Sequence, residues 1–268
     1  MHRQLLLWGS LAGLLLVCER WLTSCLGATP CLGGTASPRE WLTMGLGAGS
    51  LLLGGVGLAA AVRSVWLIMA FGWEARRLHQ AECPAALTGL ARELGISRLH
   101  LLAAEESVAF CAGVFRPAVY LSVGVYGRLD QAQLEAVLLH ELDHAVRREP
   151  VRRAVWRALR EVAFFLPVLE WVLERRIERS ELVADRRAIE RLGPRPVAGA
   201  LWVLGTDLAA PDYAAFTGAA QPRAAQLLGD PIPRCLPRPS LLVASVLGAV
   251  FAIATVACAM EIPLLGPI

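Results

Sequence analysis

Residues 43–62 and 241–260 each run for about 20 residues without a charged side chain. In water such segments need a core to hide in, whereas in a bilayer they have the length to cross a hydrocarbon layer of roughly 30 Å. Charged residues make up 18% of the chain, against about 25% in an ordinary soluble domain, and much of the deficit falls in these runs. The first is rich in glycine (Gly45, Gly47, Gly49, Gly54, Gly55, Gly57), which suits close helix packing in lipid. Arg63 then interrupts the apolar pattern before residues 65–71, and it is expected to snorkel to the interface or to face a protein cavity. Residues 4–17 are apolar too. They follow Arg3, continue through Trp21 and Leu22 and lack an A-x-A site, so they read as a further span and not a signal peptide.

The predicted organisation has three parts. Residues 1–73 hold two transmembrane helices (about 4–22 and 43–71) joined by a short external loop. Residues 74–238 form a domain, and residues 239–268 form a C-terminal transmembrane helix. Arg76 and Arg77 after the second span, with an Arg-rich centre, put the domain in the cytoplasm of a multi-pass protein of the cell (inner) membrane. Residues 162–173 are apolar but too short to cross. Their arginine flanks suit either anionic headgroups or water. Cys25 and Cys31 share the proposed external loop and can pair there, although spacing alone does not decide it. All 26 basic residues are Arg, which fits a compositional bias. No aromatic spacing or groove-reading pattern accompanies them, and direct nucleic-acid binding is not expected.

Within the domain, Pro84 opens a short helix stopped by Gly95. Apolar stretches at 99–103, 108–111 and 118–122 read as a small antiparallel sheet, with Pro117 marking the last as an edge strand. Asp130 and Gln133 form a capping-box pattern ahead of a helix reaching about residue 148. Further helices are expected at about 151–165 and 168–192, with Gly193 as the stop. The Pro-, Gly- and Ala-rich residues 193–239 are expected to be irregular. The fold class is α+β: a mainly helical, membrane-embedded domain with a small sheet, flanked by transmembrane helices.

The chemistry sits in His140-Glu141-Leu142-Asp143-His144. Histidines four apart project from one helix face, so both imidazoles can reach one Zn2+. Glu141 is placed to take a proton from water and pass it to a leaving amine. Chance produces such patterns, but a His pair on an apolar helix without a metal would be a costly burial. A third ligand is required. Glu181, about 37 residues past His144, is the candidate. Asp185, one turn further, is placed to orient a histidine. The competing reading pairs these acids with Arg186 and Arg187 on an exposed helix. Asp143 falls on the face away from the metal and is expected to meet solvent, while His79 and His100 are expected to be structural.

These segments resemble the integral-membrane gluzincins typified by the β-lactam-sensing antirepressors of the BlaR/MecR type. The likeness is carried by residues 109–122 (Ala109-Phe110-Cys111-Ala112-Gly113-Val114-Phe115-Arg116-Pro117-Ala118-Val119-Tyr120-Leu121-Ser122), the His140–His144 motif, Phe164-Phe165-Leu166-Pro167 and Ser180-Glu181-Leu182-Val183-Ala184-Asp185. The resemblance implies a cytoplasm-facing zinc endopeptidase that acts in signalling on a protein substrate, such as a winged-helix repressor. It also implies that Ala118, Val119 and Tyr120 lie near the cleft, where a peptide could add to a sheet edge. The chain ends soon after the last apolar run, so a penicillin-binding sensor domain is not expected. The alternatives are a quality-control or prenyl-protein-type membrane peptidase, or a non-catalytic signalling protein retaining a metal site.

Overall fold

A computed structural model describes residues 38–114, 116–206, 219–232 and 235–261. The proposed first span, Cys25 and Cys31 lie outside these residues. The chain divides into two compact units, residues 1–55 with 245–268 and residues 56–244.

Helix α1 (Pro38–Arg77) is continuous over 40 residues. Its stretch Leu42–Arg77 and the stretch Pro239–Ala257 of the last helix are long and apolar enough to cross a membrane. Large apolar side chains on them stand uncovered, Leu53 at 75% and Leu58 at 69% exposure among them. Such a surface is unusual in water, and it points to membrane association. Arg63 faces protein: its Nε lies 2.7 Å from Glu161, and its guanidinium stacks over Trp66. Burial disfavours the Glu161 charge, but hydrogen bonds from Arg63 and Arg157 outweigh this and hold the carboxyl below its usual range.

The rest of the second unit is built on a four-stranded sheet, β1 (Gln80–Ala81), β2 (Leu99–Leu102), β3 (Ala109–Ala112) and β4 (Ala118–Ser122), in the order β1-β2-β4-β3. It is mixed, where the sequence suggested an antiparallel sheet. β4 enters between β2 and β3, so it runs antiparallel to β3 but parallel to β2. A sequential meander would have kept every pair antiparallel; the crossover removes one. β4 is therefore an inner strand, not an edge. Pro117 precedes its first residue and takes no place in the ladder. Ala118, Val119 and Tyr120 are buried within a strand bonded on both sides, so a peptide cannot add to it. The outer strand on that side is β3.

Alternation along β4 divides two apolar layers. Val119 and Leu121 face a core with Leu87 and Ala91 of α2 (Ala85–Glu93), Val125 of α3 (Val123–Arg128), and Leu134, Val137 and Leu138 of α4 (Gln131–Val146). Ala118 and Tyr120 face a smaller cluster with Phe110, Leu102 and Ala75. The capping box forms as expected, with Asp130 Oδ1 accepting from the Gln133 N–H at 2.8 Å and Gln133 Oε1 from the Asp130 N–H at 3.2 Å. Beyond α4 come α5 (Glu149–Val162) and α6 (Val168–Leu192), which ends at Gly193 with φ 79°. Two helices then occupy part of the region expected to be irregular, α7 (Pro194–Thr206) and α8 (Ala220–Leu228); α9 (Pro239–Glu261) follows. Pro194 opens α7, where proline's fixed φ suits a first turn and its missing N–H costs nothing. Val197, Ala200 and Leu204 of α7 join the main core.

The first turn of α3 abuts the loop between β2 and β3 so closely that a Cβ on Gly124 would fall 1.9 Å from the Glu105 carbonyl oxygen. Backbone cannot rotate aside as a side-chain tip can. Gly124→Ala is therefore expected to destabilise the protein by about 3 kcal/mol, the upper end of the range for overpacking, despite alanine's better helix propensity. Thermal unfolding of the two proteins in the same detergent checks this.

Candidate metal centre

Helix α4 presents His140 and His144 one turn apart on the face it packs against α6, and α6 presents Glu181 and Asp185, also one turn apart, in return. All four are buried, as is Glu141. The two imidazole Nε2 atoms lie 2.9 Å apart. Glu181 closes the triangle, with Oε2 3.2 Å from His140 Nε2 and Oε1 3.4 Å from His144 Nε2. One donor atom from each of the three residues lies within 4.8 Å of the others.

Around this triangle sits a second layer of polar contacts. Asp185 Oδ1 accepts from His140 Nδ1 at 2.9 Å, which turns Nε2 toward the triangle. Arg223 of α8, only 1% exposed, grips Asp185 with both arms of its fork, Nε to Oδ2 and Nη2 to Oδ1, each at 2.6 Å. Its Nη1 reaches within 3.4 Å of Glu181 Oε2. Arg153 of α5 donates to Glu181 Oε1 at 2.5 Å, and Ser180 Oγ lies 3.5 Å from His144 Nδ1.

Burial works against charge on each of these groups, and their pairing overcomes it. For His140, hydrogen bonds to Asp185 and Glu181 and the Glu181 charge raise the pKa to about 9. Hydrogen bonds from His140 and His144 hold the Glu181 carboxyl well below its usual range, and those from His140 and Arg223 hold Asp185 down.

The donor set fits a divalent cation. Two imidazole nitrogens and a carboxylate oxygen converge from two rigid helices, as tetrahedral metal sites require. The buried Glu181 Oε2 has charged neighbours in His140 and Arg223 but no hydrogen bond of good geometry, which leaves it able to satisfy a cation. His140, His144 and Glu181 would hold the ion, and Asp185 and Arg223 would fix their orientation.

The structure thus brings together four residues singled out from sequence, His140, His144, Glu181 and Asp185; Glu141, next to His140 on the same helix, is buried as well. Ala118, Val119 and Tyr120 lie instead in the sheet interior. Asp143 is not solvent-paired: it is 2% exposed and bonds Arg147 at 2.7 Å and Arg187 at 3.2 Å. Arg147 and Arg187 neutralise it, and the pattern of apolar residues along α4 does not reveal them. His100 stacks on Tyr120 and lies 3.0 Å from Gln80 Oε1; like the exposed His79, it is outside the cluster. Arg223 and Arg153 escaped sequence reasoning. Arg223 falls in the region expected to be irregular, and the available signal was the Ala-rich stretch ending at Gly229, a helix stop with φ 77°.

Such a His-His-Glu triangle on paired helices, with a carboxylate next to the first histidine, is compatible with a hydrolytic metal site. The sequence comparison sharpens the class: residues 77–204 match the family model of Peptidase family M48. The match covers just under half of the chain, contains every member of the triangle, and supports a metallopeptidase. No curated protein matches the chain.

Two outcomes follow from this geometry. Arg223→Gln is expected to weaken metal binding by about 10–100-fold, the usual effect of losing a group that orients ligands. Competition with a chromophoric chelator measures it, with circular dichroism verifying the fold. Because His140 is protonated below about pH 9 and must be neutral to ligate, loading metal near pH 7 should release about one proton per chain. Calorimetric titration of chelator-treated protein in buffers of different ionisation enthalpy counts that proton. Affinity should rise with pH and level off near 9.

Proposed function

We propose that this protein is a membrane-bound, zinc-dependent endopeptidase. The observation that carries the reading is the buried convergence of His140 Nε2, His144 Nε2 and Glu181 within bonding reach of one ion, inside a segment that matches a peptidase family. A nitrogen–nitrogen–oxygen set favours zinc among abundant divalent ions. Bound there, zinc would supply Lewis acidity toward the scissile carbonyl and toward water.

The chain's own residues do the rest. Glu141, buried beside the first ligand, accepts the proton of the attacking water and delivers it to the departing amine. Asp185 keeps His140 in the tautomer whose lone pair faces the ion, and Arg223 keeps Asp185 ionised and aimed. Cys111 of the outer strand β3 lies close enough to Glu141 that, after burial, the Glu141 charge is the next largest cause of its raised thiol pKa. An extended peptide laid along β3 by main-chain hydrogen bonds would therefore pass beside Glu141, a role first assigned to β4.

The substrate is a protein or peptide. The likeness to antirepressors favours a regulatory role, with a cytoplasmic winged-helix repressor cleaved or lost in consequence. Helices α1 and α9 would hold the domain at the cell membrane, and Arg76 and Arg77 in the last turn of α1 favour a cytoplasmic face.

The test joins metal content to cleavage. Wild-type protein purified in detergent should carry about one zinc per chain, lost in the His140→Ala, His144→Ala double variant. Glu141→Gln should retain zinc yet lose at least about 10²–10⁴-fold of peptide cleavage. Cleavage by Glu141→Gln at the wild-type rate would overturn the mechanism; folded wild type without zinc would overturn the site.

A further inference from the structure

The mechanism leaves unused a cavity of about 210 Å³ between the end of α4, the start of α5 and the middle of α6. We infer that this cavity is the subsite that selects substrates, and that it takes an acidic side chain close to the scissile bond. This rests on the peptidase reading above and names its substrate class.

Position is the first ground. Ser180 lines the cavity, and its hydroxyl lies 3.5 Å from His144 Nδ1. Arg153 lines it too while donating to Glu181. Cavity and metal triangle thus share a wall one side chain thick. A peptide with its carbonyl at the triangle would bring a neighbouring side chain to the cavity mouth, since a residue spans about 3.3–3.6 Å.

Charge is the second. Five arginines line the cavity, against Glu149 as the sole acid. Three are matched: Arg147 by Asp143, Arg152 by Glu149 and Arg153 by Glu181. Arg176 stacks on Trp156, its guanidinium carbon 4.7 Å from the ring centroid. Neither Arg176 nor Arg179 forms an ion pair with an acid among the described residues. Two guanidinium charges therefore remain after internal pairing, over a concavity whose apolar walls include Leu173, Ile177 and Val183. A cleft lined by one sign of charge concentrates the opposite sign, and guanidinium forks match carboxylates in plane and spacing. Stacking on Trp156 fixes one fork in advance, which lowers the entropy cost of using it. Lys and Arg side chains would be repelled. An anionic headgroup shares the carboxylate's chemistry, but the wall shared with the metal triangle favours a peptide group.

The experiment separates binding from cleavage. Fluorescent peptide pools with Glu, Gln or Lys fixed at the centre and randomised flanks are titrated against full-length, zinc-loaded Glu141→Gln protein in neutral detergent. The Glu pool should bind about tenfold or more tighter than the Gln pool, as one charge-assisted contact supplies, and the Lys pool weakest. In Arg179→Gln and in Arg176→Gln, Arg179→Gln proteins the Glu pool should fall toward the Gln pool. Equal binding of Glu and Gln pools, or a preference that survives the double variant, overturns the subsite. So does the finding that the arginine substitutions leave peptide selectivity intact and abolish only binding to phosphatidylserine vesicles. The same pools incubated with wild type test proteolysis separately: acid-selective binding without cleavage would remove the peptidase reading and leave the acidic subsite standing.

Discussion

His140, His144, Glu181 and Asp185 are ionisable groups taken almost wholly out of water. An unpaired charge in such a place costs several kcal/mol even after the protein relaxes, more than a pair of packed helices readily offsets. The arrangement is tenable because each group's partner is another of the set, and because Arg223 and Arg153 bring positive charge to the two carboxylates. That demand sets the architecture around it. Helices α4 and α6 must pack with their polar turns in register, α5 must lie close enough for Arg153 to reach Glu181, and α8 must dock on α6 to deliver Arg223.

The sheet meets a different demand, to anchor α4 from its other side. Val119 and Leu121 from β4 and Leu134, Val137 and Leu138 from α4 are nearly inaccessible. α4 is therefore apolar toward the sheet and polar toward α6. This explains why its helical register could be read directly: a capping box fixes where it starts, and a two-sided burial pattern fixes which residues meet which neighbour. The same logic made Glu181 and Asp185 legible, since their spacing repeats that of the histidines.

What the sequence did not reveal depends on contacts between distant segments. Strand order was beyond reach because 118–122 looks the same whether bonded on one side or two, and Pro117 offered a plausible but mistaken sign of an edge. Asp143 was misplaced because Arg187, which covers it, lies 44 residues away on α6. Arg223 was hidden for a similar reason, its value arising only where α8 docks on α6. The Pro- and Gly-rich composition that suggested irregular structure there describes helix ends, Pro194 and Gly229, and not helix absence. The two long apolar helices α1 and α9 were legible from length and composition, whereas the partner of Arg63 was not.

Helix α5 is fastened near both ends by charge. Arg153 in its second turn holds Glu181 of the metal triangle, and Glu161 in its last turn holds Arg63 of α1. A helix of 14 residues is stiff over its length of about 21 Å, so these two bonds act like fixings at the ends of a strut. Sliding or rotating the apolar helix at Arg63 either breaks the outer fixing or shifts the strut, and a shifted strut pulls on the one carboxylate that completes the triangle. The apolar helix and the chemistry are thereby joined in one linkage, through a single short rod.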